Sequence, residues 1–177
     1  MPTNAKTKVK AAAARKTKTR TRGERPEGMD CIELLKRDHR EVEEYFEDYK
    51  DLDDETEKGA LAEKICTSLK VHMQVEEEIF YPAAREATKD DDLLDEAVVE
   101  HAGAKHLIEE IETMEVDDDL YDAKIRVLGE QIKHHVKEEE EELFPEVEGS
   151  KMDLKAIGKK LGERKTELMA DLVTARR

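Results

Sequence analysis

Tryptophan is absent from this chain, and aromatic residues make up only 4% of it. That scarcity argues against an all-β sandwich, whose strands draw on aromatic and β-branched side chains. With eight glycines and four prolines, the chain has few of the residues that punctuate turns. No apolar run approaches the roughly 18 residues that a membrane span needs. Nor does the N-terminus show the apolar stretch of a signal peptide. Two cysteines, Cys31 and Cys66, form neither a CxxC pair nor a disulfide framework. They read as free thiols packed in helices in a reducing compartment, which places the chain in the cytoplasm. A glycine-rich phosphate loop and a nucleophile motif are missing as well.

Charge is abundant, with 44% of residues Asp, Glu, Lys or Arg and a formal net charge of -15. A chain rich in Glu, Lys, Leu and Ala fits helices with wide solvated faces. The charge is unevenly placed. Residues 1–28 hold nine Lys and Arg against Glu24 and Glu27, so the remaining residues carry the whole acid excess. Such a body repels nucleic acid and attracts cations. The basic stretch has no bulky apolar residues to bury and is expected to be a disordered tail. Its role is solubilising, or contact with an acidic partner.

From Met29 the apolar residues recur at helical spacing. Helices are expected over residues 30–50, from Asp54 or Thr56 to about 87, over 91–115, and over about 119–147. The VDDD stretch is expected to cap the fourth, and Pro82 to kink the second. A shorter helix follows over 152–174, with an apolar side of Leu154, Ile157, Leu161, Leu168 and Leu172. Short connections make consecutive helices antiparallel neighbours. The expected fold is all-α: an up-down-up-down four-helix bundle over 29–150, with an additional C-terminal helix in 151–177.

The apolar seams carry the functional signal. Helix one gives Ile32, Leu35, His39, Val42, Phe46 and Tyr49. Helix two gives Ile65, Leu69, His72, Glu76, Ile79 and Ala83. Helix three gives Leu94, Ala97, His101, Ala104, Ile108 and Ile111. Helix four gives Ile125, Leu128, Ile132, His135 and Glu139, then Leu143 one place off register. Each long helix thus puts one histidine in its core stripe. Two add a glutamate one turn on, about 6 Å along the axis. A buried carboxylate needs a compensating positive charge, and no Lys or Arg lies in these seams. Bound metal ions would supply it. His134 and Glu138 share the His-x-x-x-Glu spacing, but their stripe is mostly polar, so they belong on a solvated face or the rim. Glu77, Glu78, Glu138, Glu140, Glu141 and Glu142 are expected on solvated surface.

The stretches RDHREVEEYF, HMQVEEEIFYP, VEHAGAKHLIEEI and HHVKEEEEELFP, taken in order, resemble the hemerythrin family in its bacterial HHE cation-binding form. The resemblance covers about residues 30–150. It implies a left-handed four-helix bundle with a non-haem di-iron centre. By the resemblance, His39 and His72 would ligate one iron, His101 and His135 the other, and Glu76 and Glu139 would bridge them. Hemerythrin proper carries an aspartate bridge where Glu140 stands here, and a further histidine where Lys105 stands. A water, or one of His106, Glu43 and Glu77, is left to complete the coordination. Imidazole and carboxylate donors suit iron, manganese or zinc more than calcium.

The expected function is a cytoplasmic di-iron protein that binds a small molecule (dioxygen, nitric oxide or peroxide) or buffers iron. The alternative is a di-iron enzyme that scavenges peroxide or nitric oxide. Tyr45, Tyr49, Tyr81 and Tyr121 are candidate proton donors for it, against a default role in packing.

Overall fold

Asp30 opens the first helix with a reciprocal cap. Its side chain accepts from the Glu33 N–H at 2.9 Å, and the Glu33 side chain accepts from the Asp30 N–H at 3.1 Å. The computed structural model describes residues 28–88 and 91–175; the basic tail expected to be disordered lies outside them, apart from Gly28. From the cap, α1 runs Cys31–Lys50. Asp54, not Thr56, caps α2 (Glu55–Val75) by accepting from the Glu57 N–H. Then follow α3 (Tyr81–Thr88), α4 (Asp92–Glu112), α5 (Tyr121–Glu138), α6 (Phe144–Gly149) and α7 (Leu154–Ala175). The VDDD stretch does not cap α5: Asp118 instead accepts from the Glu115 N–H and closes the preceding turn.

The second and fourth rods are not the uninterrupted α-helices that periodicity suggests. Five-residue π turns, Glu76–Phe80 and Glu139–Leu143, join α2 to α3 and α5 to α6. In each, an N–H reaches back five residues: Tyr81 to the Glu76 carbonyl, Phe144 to the Glu139 carbonyl. Pro82 and Pro145 follow directly. A proline ring inside an α-helix presses on the carbonyl four residues earlier, and a wider turn before it relieves that clash. Each π turn adds one residue to the circuit and moves the buried stripe by one place. After Glu76 the buried residues are Phe80, Tyr81 and Ala84, whereas the expected Ile79 and Ala83 are only half-buried. After Glu139 they are Leu143, Phe144 and Val147. These residues repeat at an offset of 63 positions, which is why Leu143 falls off an ideal α-helical seam.

The four rods form a ring of antiparallel neighbours. Tyr49 at the end of α1 donates to Asp122 at the start of α5, while His39 meets Glu140 further down. On α4, Glu112 pairs with Lys70 of α2 and Glu110 with Lys124 of α5. The apolar core divides into two clusters. One gathers Leu34, Leu35, Phe80, Leu94, Leu143 and Phe144 with Leu161 and Leu168 of α7. The other gathers Ile65, Leu69, Met73, Ile108, Ile125 and Leu128. Between them lies a slab of buried polar residues: Asp38, His39, His72, Glu76, His101, His135 and Glu139. Cys31 and Cys66 are free and buried, one in each cluster. Burial, followed by Asp30, pushes the Cys31 thiol up to about 12. Among the described residues, no helix is long and apolar enough to cross a membrane.

Helix α7 packs across α1 and α2. Gly158 makes the approach possible: a Cβ there would stand 2.6 Å from the Met29 carbonyl oxygen and 2.7 Å from the Cys31 nitrogen. Those are backbone atoms and cannot rotate away. Gly→Ala in an open helix site stabilises by up to about 1 kcal/mol. At Gly103, where nothing lies within 4 Å, that gain is expected. At Gly158 the sign reverses, with a loss of about 1–3 kcal/mol. Thermal melts of G103A and G158A should therefore move in opposite directions.

Candidate metal centre

All six residues singled out by the seams meet in the polar slab. His39, His72, Glu76 and Glu139 form one group, and Glu76, His101 and His135 a second, with donor atoms in each group within 4.8 Å of one another. Glu76 is common to both. The four imidazoles face inward through Nε2. His39 Nε2 lies 3.1 Å from His72 Nε2, and His101 Nε2 lies 3.0 Å from His135 Nε2. The carboxylates close the ring: Glu139 Oε2 is 3.3 Å from His39 Nε2 and 3.6 Å from His135 Nε2. Glu76 Oε2 is 3.2 Å from His72 Nε2 and 3.5 Å from His101 Nε2.

The outer nitrogens decide what the inner ones can do. Nδ1 of His39 bonds Glu140 at 2.9 Å, that of His101 bonds Glu77 at 2.9 Å, and that of His135 bonds Glu100 at 2.8 Å. A carboxylate on Nδ1 holds the proton there and leaves the Nε2 lone pair aimed inward. His101 and His135 are both held this way, and their two lone pairs, facing each other at 3.0 Å, can share one proton at most, whereas a cation accepts both. The carboxylates give the same answer. Both oxygens of Glu76, which is wholly buried, and Oε2 of Glu139 have no hydrogen-bond partner. The neighbouring imidazoles are close enough to pair with them but out of line for a hydrogen bond. Buried polar atoms in that condition are costly unless a ligand satisfies them. The donor set fits transition-metal ions.

Titration in the protein alone reflects the same frustration. Burial raises the Glu76 pKa, and the nearby Glu139 carboxylate raises it further. Burial also raises that of Glu139, but His135 and His39 outweigh it and hold the group below the ordinary carboxylate range. Burial opposes charge on His72, yet Glu76 overrides it and lifts the imidazole to about 10. His101 goes the other way, to about 2, through burial and the adjacent His135.

Residues beyond the six also belong here. Tyr81 sends its hydroxyl into the centre, donating to Glu139 Oε1 at 2.9 Å and lying 3.2 Å from His101 Nε2. Its role is therefore not ordinary packing, as the sequence default has it. Five residues along an α-helix is about 140° off the face of Glu76. The π turn brings Tyr81 back to that face. The equivalent residue in the second repeat is Phe144, which stacks on His39 with ring centroids 5.8 Å apart and has no hydroxyl to offer. Tyr45, Tyr49 and Tyr121 lie in the other apolar cluster.

The expected surface acids need correction. Glu77 and Glu140 support His101 and His39, and are themselves held by Lys105 and Arg40. Glu78 and Glu138 are surface acids paired with Arg164 and His134. His134 stays exposed, as its polar stripe implies, and pairs with the half-buried Glu138 and Glu100. His106 is exposed, and Glu43 pairs outward with Arg40, so neither joins the buried donor groups. The sequence did hold a signal for the supporting acids. Asp38 and Glu100 directly precede His39 and His101, while Glu77 and Glu140 directly follow Glu76 and Glu139.

A carboxyl that serves a cation rather than the fold should be dispensable without one. Replacing buried charge by an apolar side chain of like volume is often stabilising by about 1–4 kcal/mol. Chelator-treated E76M should therefore melt above the chelator-treated wild type, while metal analysis finds its transition-metal binding lost.

The chain matches the profile of the family described as "Hemerythrin HHE cation binding domain" over residues 30–147. It is similar to a protein described as "DNA nickase" from Nostoc sp. (strain PCC 7120), with 25% identity over 123 residues. That match takes in 70% of this chain but 35% of the relative, so the chain spans about a third of that protein's length. Its fold is similar to the crystal structure of a hemerythrin HHE cation-binding domain-containing protein, the Rv2633c homolog from Mycobacterium kansasii. The TM-score is 0.71 at 19% identity, covering 82% of this chain and 91% of that one. With the profile matched across two thirds of its length, this chain belongs to the hemerythrin HHE cation-binding domain family.

Proposed function

We propose that this chain is a hemerythrin-like, non-haem di-iron protein of the cytoplasm that binds a small molecule (dioxygen, nitric oxide or peroxide) or buffers iron. The observation that carries this reading is the pair of Nε2–Nε2 approaches at 3.1 and 3.0 Å, closed by carboxylate oxygens that have no hydrogen-bond partner. His39 and His72 would hold one ion, His101 and His135 the other, with Glu76 and Glu139 between them. Two irons would supply redox chemistry and a position open to a small ligand.

This chain's own residues set the limits on that ligand. A cavity of about 10 Å³ abuts the four histidines and is lined on its apolar side by Val42, Leu69, Met73, Ile132 and Val136. It is room for one water-sized molecule. Those side chains keep bulk solvent from the centre. The acidic bundle repels nucleic acid, which argues against a DNA-directed role like that in the Nostoc relative's name.

Metal analysis with an absorption spectrum, in air and under reducing conditions, tests the reading. Two irons per chain and a spectrum that changes on adding dioxygen, peroxide or nitric oxide are expected. Protein that takes up no transition metal sinks it.

One observation favours the enzymatic alternative: Tyr81 places a hydroxyl inside the centre, where it can hand a proton to a bound ligand. Burial, then Glu139, pushes its pKa well above the ordinary value, so the hydroxyl is protonated at rest and would yield its proton only as negative charge develops on a ligand beside it. A positioned proton donor contributes about 100-fold or more to rate. If the iron-loaded protein turns over hydrogen peroxide, Y81F should cut the rate by about that factor while retaining both irons. No accelerated turnover by the wild type would leave the binding role.

A further inference from the structure

One histidine is supported differently from the other three. His72 Nδ1 has no hydrogen-bond partner and lies 3.7 Å from Asp38 Oδ2. That oxygen is taken by Lys165, contributed by α7, while Asp38 Oδ1 faces Arg37 at 3.5 Å. Asp38 is 3% exposed, so Lys165 delivers an ammonium group to a carboxylate buried directly behind a candidate ligand. The residue before it, Arg164, grips Glu78 at 2.7 Å. Glu78 sits in the first π turn, two places after Glu76. Consecutive residues of α7 thus hold the helix that carries His39 and the turn that carries Glu76. In the opposite half, the corresponding cation comes from within the bundle: Lys105 of α4 pairs with Glu77 behind His101.

We propose that Lys165 is a positioning residue for the metal ion held by His39 and His72, so that the grip on this one position depends on the docking of α7. The proposal rests on reading the centre as a two-metal site. Metal on Nε2 makes the Nδ1 proton a stronger donor, and Asp38 Oδ2 is the acceptor within about 1 Å of hydrogen-bond range. Lys165 keeps that oxygen at the right depth. Without the ammonium group, Oδ2 is buried with its partner gone, and the carboxylate turns toward Arg37 and solvent. His72 then loses its backing, while His101 and His135 keep theirs.

The test compares wild type, K165M, K165R and K105M. Each is loaded anaerobically with ferrous iron and titrated with a competing chelator to obtain two successive dissociation constants. Anomalous diffraction from partly depleted crystals shows which position has emptied. Loss of a carboxylate support behind a metal-bound histidine costs about 10–100-fold in affinity. K165M should lose about that factor at the position between His39 and His72 alone. K165R should recover most of it, and K105M should weaken the other position. Equal losses at both positions in K165M, tracking a fall in melting temperature, would mean general loosening and overturn the proposal. Unchanged constants in K165M, with two metals bound to the wild type, overturn the role of Lys165 alone. Wild type that binds no metal overturns both this role and the two-metal reading.

Discussion

Four inward imidazole nitrogens and two carboxylates share a space from which solvent is excluded, and they do not satisfy one another. Glu76 has neither oxygen hydrogen-bonded, though His72 and His101 are within 3.5 Å. Apolar packing alone gives no reason for a wholly buried glutamate at that place, because an uncompensated carboxylate in a core is strongly unfavourable. Positive charge at the centre removes the conflict at every atom at once. The remaining architecture serves that requirement: one rod per histidine, an acid behind each imidazole and hydrogen-bonded to three of them, and a Lys or Arg behind three of those four acids.

The π turns show how local sequence meets the same need. Each begins at the glutamate that projects into the centre and ends just before a proline. Widening the helix there lets Glu76 and Tyr81 share a face that α-helical geometry would deny them. The two repeats are alike in backbone but not in chemistry, since Tyr81 carries a hydroxyl and Phe144 does not. The two halves of the centre are therefore unequal, and this one oxygen atom is a source of the inequality.

Much of this was legible in the residue order. The α4 seam of Leu94, Ala97, His101, Ala104, Ile108 and Ile111 is buried throughout, as its three-and-four spacing requires. All six seam-derived donors converge, because a histidine on an apolar stripe has only one direction to point. What failed did so where the helix left its ideal pitch. Ile79 and Ala83 gave way to Phe80 and Ala84, and Tyr81 stood out from the other three candidate tyrosines only in the structure, because a 100° step per residue does not hold through a π turn. The supporting acids were missed for a different reason. Glu77 and Glu140 directly follow the seam glutamates but look like ordinary members of acidic runs, and the neighbouring helices decide that they meet a histidine. Lys165 is further removed still, since nothing local to α7 announces a buried partner.

The polar slab has one more effect, on the chain as a whole. It splits the apolar interior into two lobes, each too small to be a generous core by itself, with a waist of mutually dissatisfied groups between them. A cation at that waist acts as a rivet, adding its binding free energy to the cohesion of both lobes. The loaded chain would then resist unfolding more than the empty one, by an amount set by the free ion concentration.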